Sequence, residues 1–344
     1  MRGAGKVPKR RLLCHGAMLA ASLLGLFGCD GAERQSTPPP ELAAGAPPQS
    51  FSAFAPLEAP TDLAPARVRL GKALFRDTRL SADGIVACSS CHDVRNGGDD
   101  GRRVSIGIGG IEGLVNAPSV LNAGLNFAQF WDGRAYTLEQ QISATLVNPI
   151  EMGADLTRVA SELRGDRHLA QEFAVAYDGG LTADNLVDAL ATYVRALVTP
   201  SSPFDRYLLG DIAALDAEAR SGYELFTRLG CVSCHQGRNI GGNFFQRFGV
   251  MGDYFADRGS VSTVDYGRYN VTSREQDRYK FKVPSLRNVA KTAPYFHDGS
   301  AASLEEAVQI MVKYQLGRDA EPNQVAQLVA FLESLSGTVP QPLL

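Results

Sequence analysis

Two pentapeptides, Cys88-Ser-Ser-Cys91-His92 and Cys231-Val-Ser-Cys234-His235, constrain this chain more than any other feature. In a C-x-x-C-H segment two thiols one helical turn apart add to the two vinyl groups of a haem, and the adjacent His lies under the iron. A zinc site would have to join Cys pairs 143 residues apart, an unusual separation for its ligands. Disulfides suit an exported chain, but a C-x-x-C bridge is a poor structural link and leaves both His residues unexplained. The pattern implies two covalently bound haems c.

The chain also repeats itself around these motifs. Gly71-x-x-Leu74-Phe75 precedes the first and Gly222-x-x-Leu225-Phe226 the second. Downstream, Pro118-Ser119, Asn122, Phe130 and Asp132-Gly133 recur as Pro284-Ser285, Asn288, Phe296 and Asp298-Gly299, at a constant offset of 166. The same offset relates Thr137-Leu138-Glu139-Gln140 to Ser303-Leu304-Glu305-Glu306. Each of those reads as a capping box that opens a helix. Thr182 starts another helix, with Leu186, Leu190, Val194 and Leu197 on one face and Pro200 barring the next turn. Pro322 fits a first helical turn, with Val325, Leu328, Leu332 and Leu335 following and Gly337 as the expected end. Residues 239–283 show no sustained period and read as a long loop over the second haem. No run is convincing as a strand. The expected fold is all-α, two duplicated cytochrome c-like haem domains at 61–205 and 206–337 with a tail at 338–344.

Residues 1–28 read as a secretory signal of the lipoprotein type. Five basic residues and no acids accompany an apolar run from Leu12 to Phe27, too short to span a membrane, which needs about 20 residues. Leu26-Phe27-Gly28-Cys29 resembles a lipobox, which would lipidate Cys29 and tether a periplasmic protein to a membrane. Residues 29–60 are rich in Pro and read as an extended linker. Removing the leader's five positive charges from a net charge of −3 leaves a body of −8, which has no electrostatic footprint for nucleic acid.

What sits opposite each His decides what each haem does. Outside the leader the Met candidates are Met152, Met251 and Met311. Met311 lies on the helix capped by Ser303, 76 residues after His235, and its counterpart at the offset of 166 is Thr145. Thr is not a haem ligand, so the first haem lacks the sixth ligand offered to the second. Of the remaining His residues, His168 reads as exposed on a polar helix. His297 occupies the repeat position of Trp131 and reads as a haem-edge or hydrogen-bonding residue.

These residues, together with Asn116-Ala-Pro-Ser-Val-Leu-Asn122, Phe130-Trp-Asp-Gly-Arg134, Ser202-Pro-Phe-Asp205 and Ala293-Pro-Tyr-Phe-His-Asp-Gly299, make the chain similar to bacterial di-haem cytochrome c peroxidases, including the MauG-type oxidases, over residues 61–337. The resemblance implies a C-terminal His/Met electron-entry haem matching His235 and Met311, and an N-terminal peroxidatic haem matching His92. It implies that Trp131, the chain's one Trp, lies between the haems, and that Gln141 and Glu151 are distal groups. It further implies a calcium ion held partly by groups of Asn116, Thr292 and Pro294. Many such proteins carry a removable His ligand in the loop before the Asn-Ala-Pro segment. Here that loop reads Ser105-Ile-Gly-Ile-Gly-Gly110, with Ile108 at the matching position. The expected substrate is hydrogen peroxide, the donor a small exported cytochrome c or cupredoxin, and a further partner a second copy of the chain. A MauG-like oxidase acting on a protein and a pure electron carrier are the rival readings; Tyr314, one turn from Met311, bears on the first of these.

Overall fold

Gly71 and Gly222 set the two helix pairs around which the chain is built. The structure, a computed structural model, describes residues 53–344; the signal, Cys29 and most of the Pro-rich segment lie outside the described residues. The first half contains α1 (Pro65–Leu74), α2 (Leu138–Val147), α3 (Leu156–Leu163), α4 (Arg167–Ala176) and α5 (Ala183–Ala196). The second contains α6 (Pro203–Leu208), α7 (Ala217–Leu229), α8 (Tyr254–Arg258), α9 (Tyr269–Thr272), α10 (Leu304–Leu316) and α11 (Pro322–Glu333). A Cβ on Gly71 would strike the backbone of Ala189 in α5, and one on Gly222 the backbone of Gln327 in α11. Absence of a side chain lets α1 lie on α5, and α7 on α11, at backbone distance.

The starts of these helices follow from local chemistry. Thr137, Asp155, Asp166, Thr182, Asp216 and Ser303 each accept a backbone N–H of the first turn. The expected boxes at Thr137 and Ser303 form with one difference. Gln140 Oε1 accepts from Tyr136 N at 2.8 Å and Glu306 Oε2 from Ala302 N at 2.8 Å, one residue before the cap in both halves. Other features repeat at the same offset. Gln129 N donates to Ala135 O and Tyr295 N to Ala301 O, both at 2.7 Å, and Asn122 and Asn288 share a φ of 60°. Helix α11 ends at Glu333, before Gly337. Gly337 serves a close approach instead: its N–H donates to Asn288 Oδ1, and a Cβ there would meet the backbone of Thr199.

Apolar side chains collect into two main cores. One holds Leu74, Leu80, Leu146, Leu163, Phe173, Leu190 and Tyr193; the other holds Phe204, Leu225, Phe226, Ala307, Leu328 and Phe331. The segment around Phe54 and the C-terminal tail each pack on the half remote from them in sequence. Phe54 packs edge-on against Phe204 in the second core, Leu57 N donates to Asp205 Oδ1, and Ala55 O accepts from Arg287. The last residues of the Pro-rich stretch are part of the folded body, because Phe54 and Leu57 find a buried surface. The C-terminal tail does the converse: Val339 and Leu343 pack on the first core, and Tyr193 Oη donates to Leu343 O at 2.8 Å.

Residues 239–283 are not a plain loop. They form α8, α9 and a two-stranded antiparallel ribbon, β1 (Phe245–Arg247) and β2 (Lys280–Lys282), with Phe245 opposite Lys282. Phe248, Tyr254, Phe255 and Phe281 build a third cluster there, against which Trp131, Phe296 and Met311 pack. The molecule is all-α apart from this ribbon. Among the described residues no helix is long and apolar enough to cross a membrane.

Candidate haem sites and the crevice between them

Both C-x-x-C-H segments fold into the same tight turn. Cys91 N and His92 N both donate to Cys88 O, as Cys234 N and His235 N do to Cys231 O. Gly230, left-handed at a φ of 90°, ends α7 and swings the chain directly into the second turn. All four Cys are free thiols. Burial pushes Cys88 up to about 12 and Cys231 up to about 11, so both are neutral at physiological pH. Cys88 packs on the first core and Cys231 on the second, which separates the pairs that a shared zinc ion would need.

His92 Nδ1 lies 3.0 Å from Gly98 O. That bond fixes the tautomer and leaves Nε2 as the ligating atom. His235 Nδ1 is buried and points toward the backbone of Ile240 and Pro284 without reaching a well-formed hydrogen bond. Burial lowers the pKa of both rings, that of His235 to about 4, so both are neutral imidazoles ready to bind a metal. Paired, partly buried thiols, each pair followed by a neutral His with one nitrogen turned to the backbone, fit covalently attached haem.

The groups expected on the distal side of the first motif come together. Gln141 Nε2 donates to Thr145 Oγ1 at 3.0 Å, and Glu151 Oε1 accepts from Asn148 Nδ2 at 2.7 Å. Burial raises the Glu151 pKa, while bonds from Thr145 and Asn148 pull it back. Glu151 is close enough to Cys91 to raise that thiol's pKa, although burial is the larger cause. Glu151 does not start a helix; it sits in the turn between α2 and α3. Its carbonyl accepts from Ile108 N at 2.9 Å, so the Ser105–Gly110 loop lies directly over it. Ile108 Cδ1 presses on Gly153, where a Cβ would leave it no room.

Of the three Met candidates, Met152 is buried in the first core and Met251 is largely exposed. Met311 is half-buried on α10 beside the aromatic cluster. Tyr314, one turn on, is buried with its hydroxyl given to Asp257 Oδ2 at 3.0 Å. His168 is exposed on α4, in a shallow groove with Ala66, Arg69 and Val175.

Trp131 is half-buried between the halves, and its Nε1 donates to Asn116 O at 2.9 Å. Asn116 N in turn donates to His297 O, and Asn116 Nδ2 to Arg102 O. His297 is a hydrogen-bonding residue rather than a free ligand. It is 2% exposed, with Nε2 2.7 Å from Asp265 Oδ1. Asp265, His297 and Asp298 converge tightly enough to bracket a cation, but Arg258 already bridges the two carboxylates at 2.7 and 2.6 Å. Burial works to raise the Asp265 pKa, yet bonds from His297, Arg258 and Ser262 N hold the carboxyl well below the usual range. Asp265 and Arg258 escape sequence reasoning because they lie in the aperiodic stretch. Thr292 and Pro294 flank Ala293, whose carbonyl lies beside Gly101, one residue from the Arg102 that Asn116 touches.

The profile of di-haem cytochrome c peroxidases matches residues 65–213. Cytochrome c551 peroxidase of Nitrosomonas europaea is 39% identical over 94% of this chain and 91% of its own length. The chain belongs to the di-haem cytochrome c peroxidase family. Family membership carries two c-type haems and a haem peroxidase oxidoreductase activity. Cytochrome c551 peroxidase of Pseudomonas aeruginosa is 42% identical over 79% of each chain. Cytochrome c peroxidase Ccp of Escherichia coli is 44% identical over 82% of this chain, which spans 60% of that longer relative. The MauG subgroup is also related: a crystal structure of a MauG-like protein associated with microbial copper homeostasis superposes with a TM-score of 0.72 at 28% identity, covering 87% of this chain and 97% of that one. In this di-haem peroxidase Trp131 and Met311 pack on one aromatic cluster, and Glu151 lies beside the first C-x-x-C-H turn.

Proposed function

We propose that the chain reduces hydrogen peroxide to water in the periplasm, with two electrons from a small exported cytochrome c or cupredoxin and two protons. Residues 61–205 form the peroxidatic domain, with a haem on Cys88, Cys91 and His92. Residues 206–337 form the electron-entry domain, with a haem on Cys231, Cys234, His235 and Met311. The haem iron supplies the site at which peroxide binds and its O–O bond breaks. Glu151 takes the proton from the inner oxygen and returns it to the outer one. A carboxyl raised by burial yet still hydrogen-bonded to Asn148 suits both acts. Gln141 positions it through Thr145. Trp131, packed against the same aromatic cluster as Met311, passes electrons between halves. Asn116, Thr292 and Pro294 would hold a calcium ion across the same seam, Cys29 would carry a lipid anchor, and a second copy is the expected partner in a homodimer.

The observation that carries this reading is the placement of Glu151 under the Ser105–Gly110 loop, where Ile108 offers no ligand atom. Steady-state peroxide consumption with a reduced small cytochrome c tests it. Rapid mixing of the fully oxidised protein with peroxide should give an immediate reaction without pre-reduction. Two low-spin haems that react only after one-electron reduction would refute the open site. A MauG-like activity is disfavoured because Tyr314 gives its hydroxyl to Asp257.

A further inference from the structure

Lys282 is a buried cation without a partner. It is 6% exposed, and among the described residues no carboxylate, carbonyl or hydroxyl accepts from its ammonium. The other buried or partly buried arginines nearby are satisfied. Arg258 bridges Asp265 and Asp298, Arg268 donates to Asp132 O, Gly133 O and Tyr136 Oη, and Arg287 pairs with Asp205. An ammonium largely withdrawn from water, on a side chain this buried and with no protein acceptor, is costly, which is why such groups are found with counter-ions. Burial alone pushes this one down to about 8.

Its position says what the counter-ion is. Strand β2 runs from Lys280, paired with Asp277, to Lys282, and the chain then reaches Pro284 beside His235. Side chains alternate along a strand. Phe281 faces the aromatic cluster, its ring 4.5 Å from that of His297, so Lys282 takes the opposite face. Its own N–H donates to Trp131 O at 2.9 Å, and its strand partner is Phe245. Lys282 therefore stands between the residue that separates the two haem sites and the proximal His of the second. Haem c carries two propionate carboxylates, and they are the anions that the proposed function brings into this crevice. We infer that Lys282 is the counter-ion of a haem propionate at the junction of the two haem sites.

This inference rests on the two-haem reading, and the two can fail separately. Failure of that reading shows as a wild-type protein without two covalent haems in its absorption spectrum. Given loaded protein, spectroelectrochemical titration of wild type and Lys282→Met decides the role of the side chain. Removing a positive charge beside a propionate leaves the carboxylate uncompensated and favours ferric iron. One midpoint potential should fall while the other stays, and whichever haem moves owns the propionate. Lys282→Arg should restore it. Unchanged potentials for both haems in Lys282→Met, with a raised melting temperature because an unpaired buried charge has been removed, would overturn the assignment. If Lys282→Met does not load haem, Lys282→Arg carries the test by resonance Raman. A shift of one propionate-bending band supports the contact, and bands identical to wild type refute it.

Discussion

Glu151 and Thr145 illustrate how one residue's role depends on what its repeat counterpart has become. Thr145 stands where Met311 stands in the second half, and its hydroxyl, unable to ligate iron as a thioether does, is tied to Gln141. In the proposed function the position thereby changes from iron ligand to support for Glu151. Glu151→Gln keeps the shape and the contact with Asn148 but removes the titrating proton. Turnover at saturating peroxide should fall by roughly 10²–10⁴-fold, the usual worth of such a group, with both haems still attached. Stopped-flow traces of the oxidised variant mixed with peroxide check this, and an unchanged rate where chemistry is limiting removes Glu151 from the mechanism. The resemblance points to Glu151 and the offset of 166 to Thr145, but only as a residue that cannot ligate iron; its bond to Gln141 is not legible in the sequence. Nor were Lys282, Asp265 and Arg258, since a lone charged residue in an aperiodic stretch looks the same whether it will be solvated or buried.

At the scale of the element, cap chemistry and motif spacing were readable because they depend on three or four neighbouring residues. The ribbon of β1 and β2 was not, because strands of three residues leave too short a period to detect and their burial comes from aromatic partners distant in sequence. The end of α11 was misjudged for a related reason. Gly337 resembles a helix stop, but its small size answers a tertiary demand, the close passage of Thr199. The same competition between local preference and packing makes a sharp test at Gly71 and Gly222. On propensity alone, Ala in place of an interior helical Gly would stabilise by about 1 kcal/mol. Here the new methyl meets a neighbouring helix backbone, which cannot rotate away. Gly71→Ala and Gly222→Ala should each lose about 1–3 kcal/mol, the cost of overpacking. Chemical denaturation of the two variants measures it, and a gain in stability for either would show that the helix pairs can separate freely.

Across the whole molecule, a charge cluster ties the second half together, and the segments around Phe54 and at the C-terminus act as straps. Asp265 links α8, through Arg258, to His297 and Asp298 on the second half's repeat of the Trp131 segment. Its folded pKa lies below the unfolded value of about 3.9, so its contribution is complete above that value and is lost as pH falls through the folded one. Asp265→Asn should therefore be less stable than wild type by a constant margin from pH 5 to 8, and the margin should shrink as the pH drops below about 4. Thermal melts across that range check the sign; a margin that widens in acid would contradict it.

The straps make the two cores mutually dependent in a way that neither repeat alone would require. Residues near Phe54 cover the second core, and the last residues cover the first, where Leu343 O takes the hydroxyl proton of buried Tyr193 and Pro342 O takes Lys72 Nζ. Removing Pro340–Leu344 would strip the cover of Leu343 and Leu344 from the first core and leave Tyr193 Oη without its acceptor. A buried hydroxyl that loses its partner costs about 1–3 kcal/mol, and the lost apolar cover adds to that. The damage should fall on the half opposite in sequence, the one that holds His92 and Glu151. Hydrogen exchange on the truncated protein should show faster opening of α1 and α5 with α7 and α11 little changed. Faster exchange confined to α11, which adjoins the cut in sequence, and its partner α7 would mean that the tail stabilises only its own half.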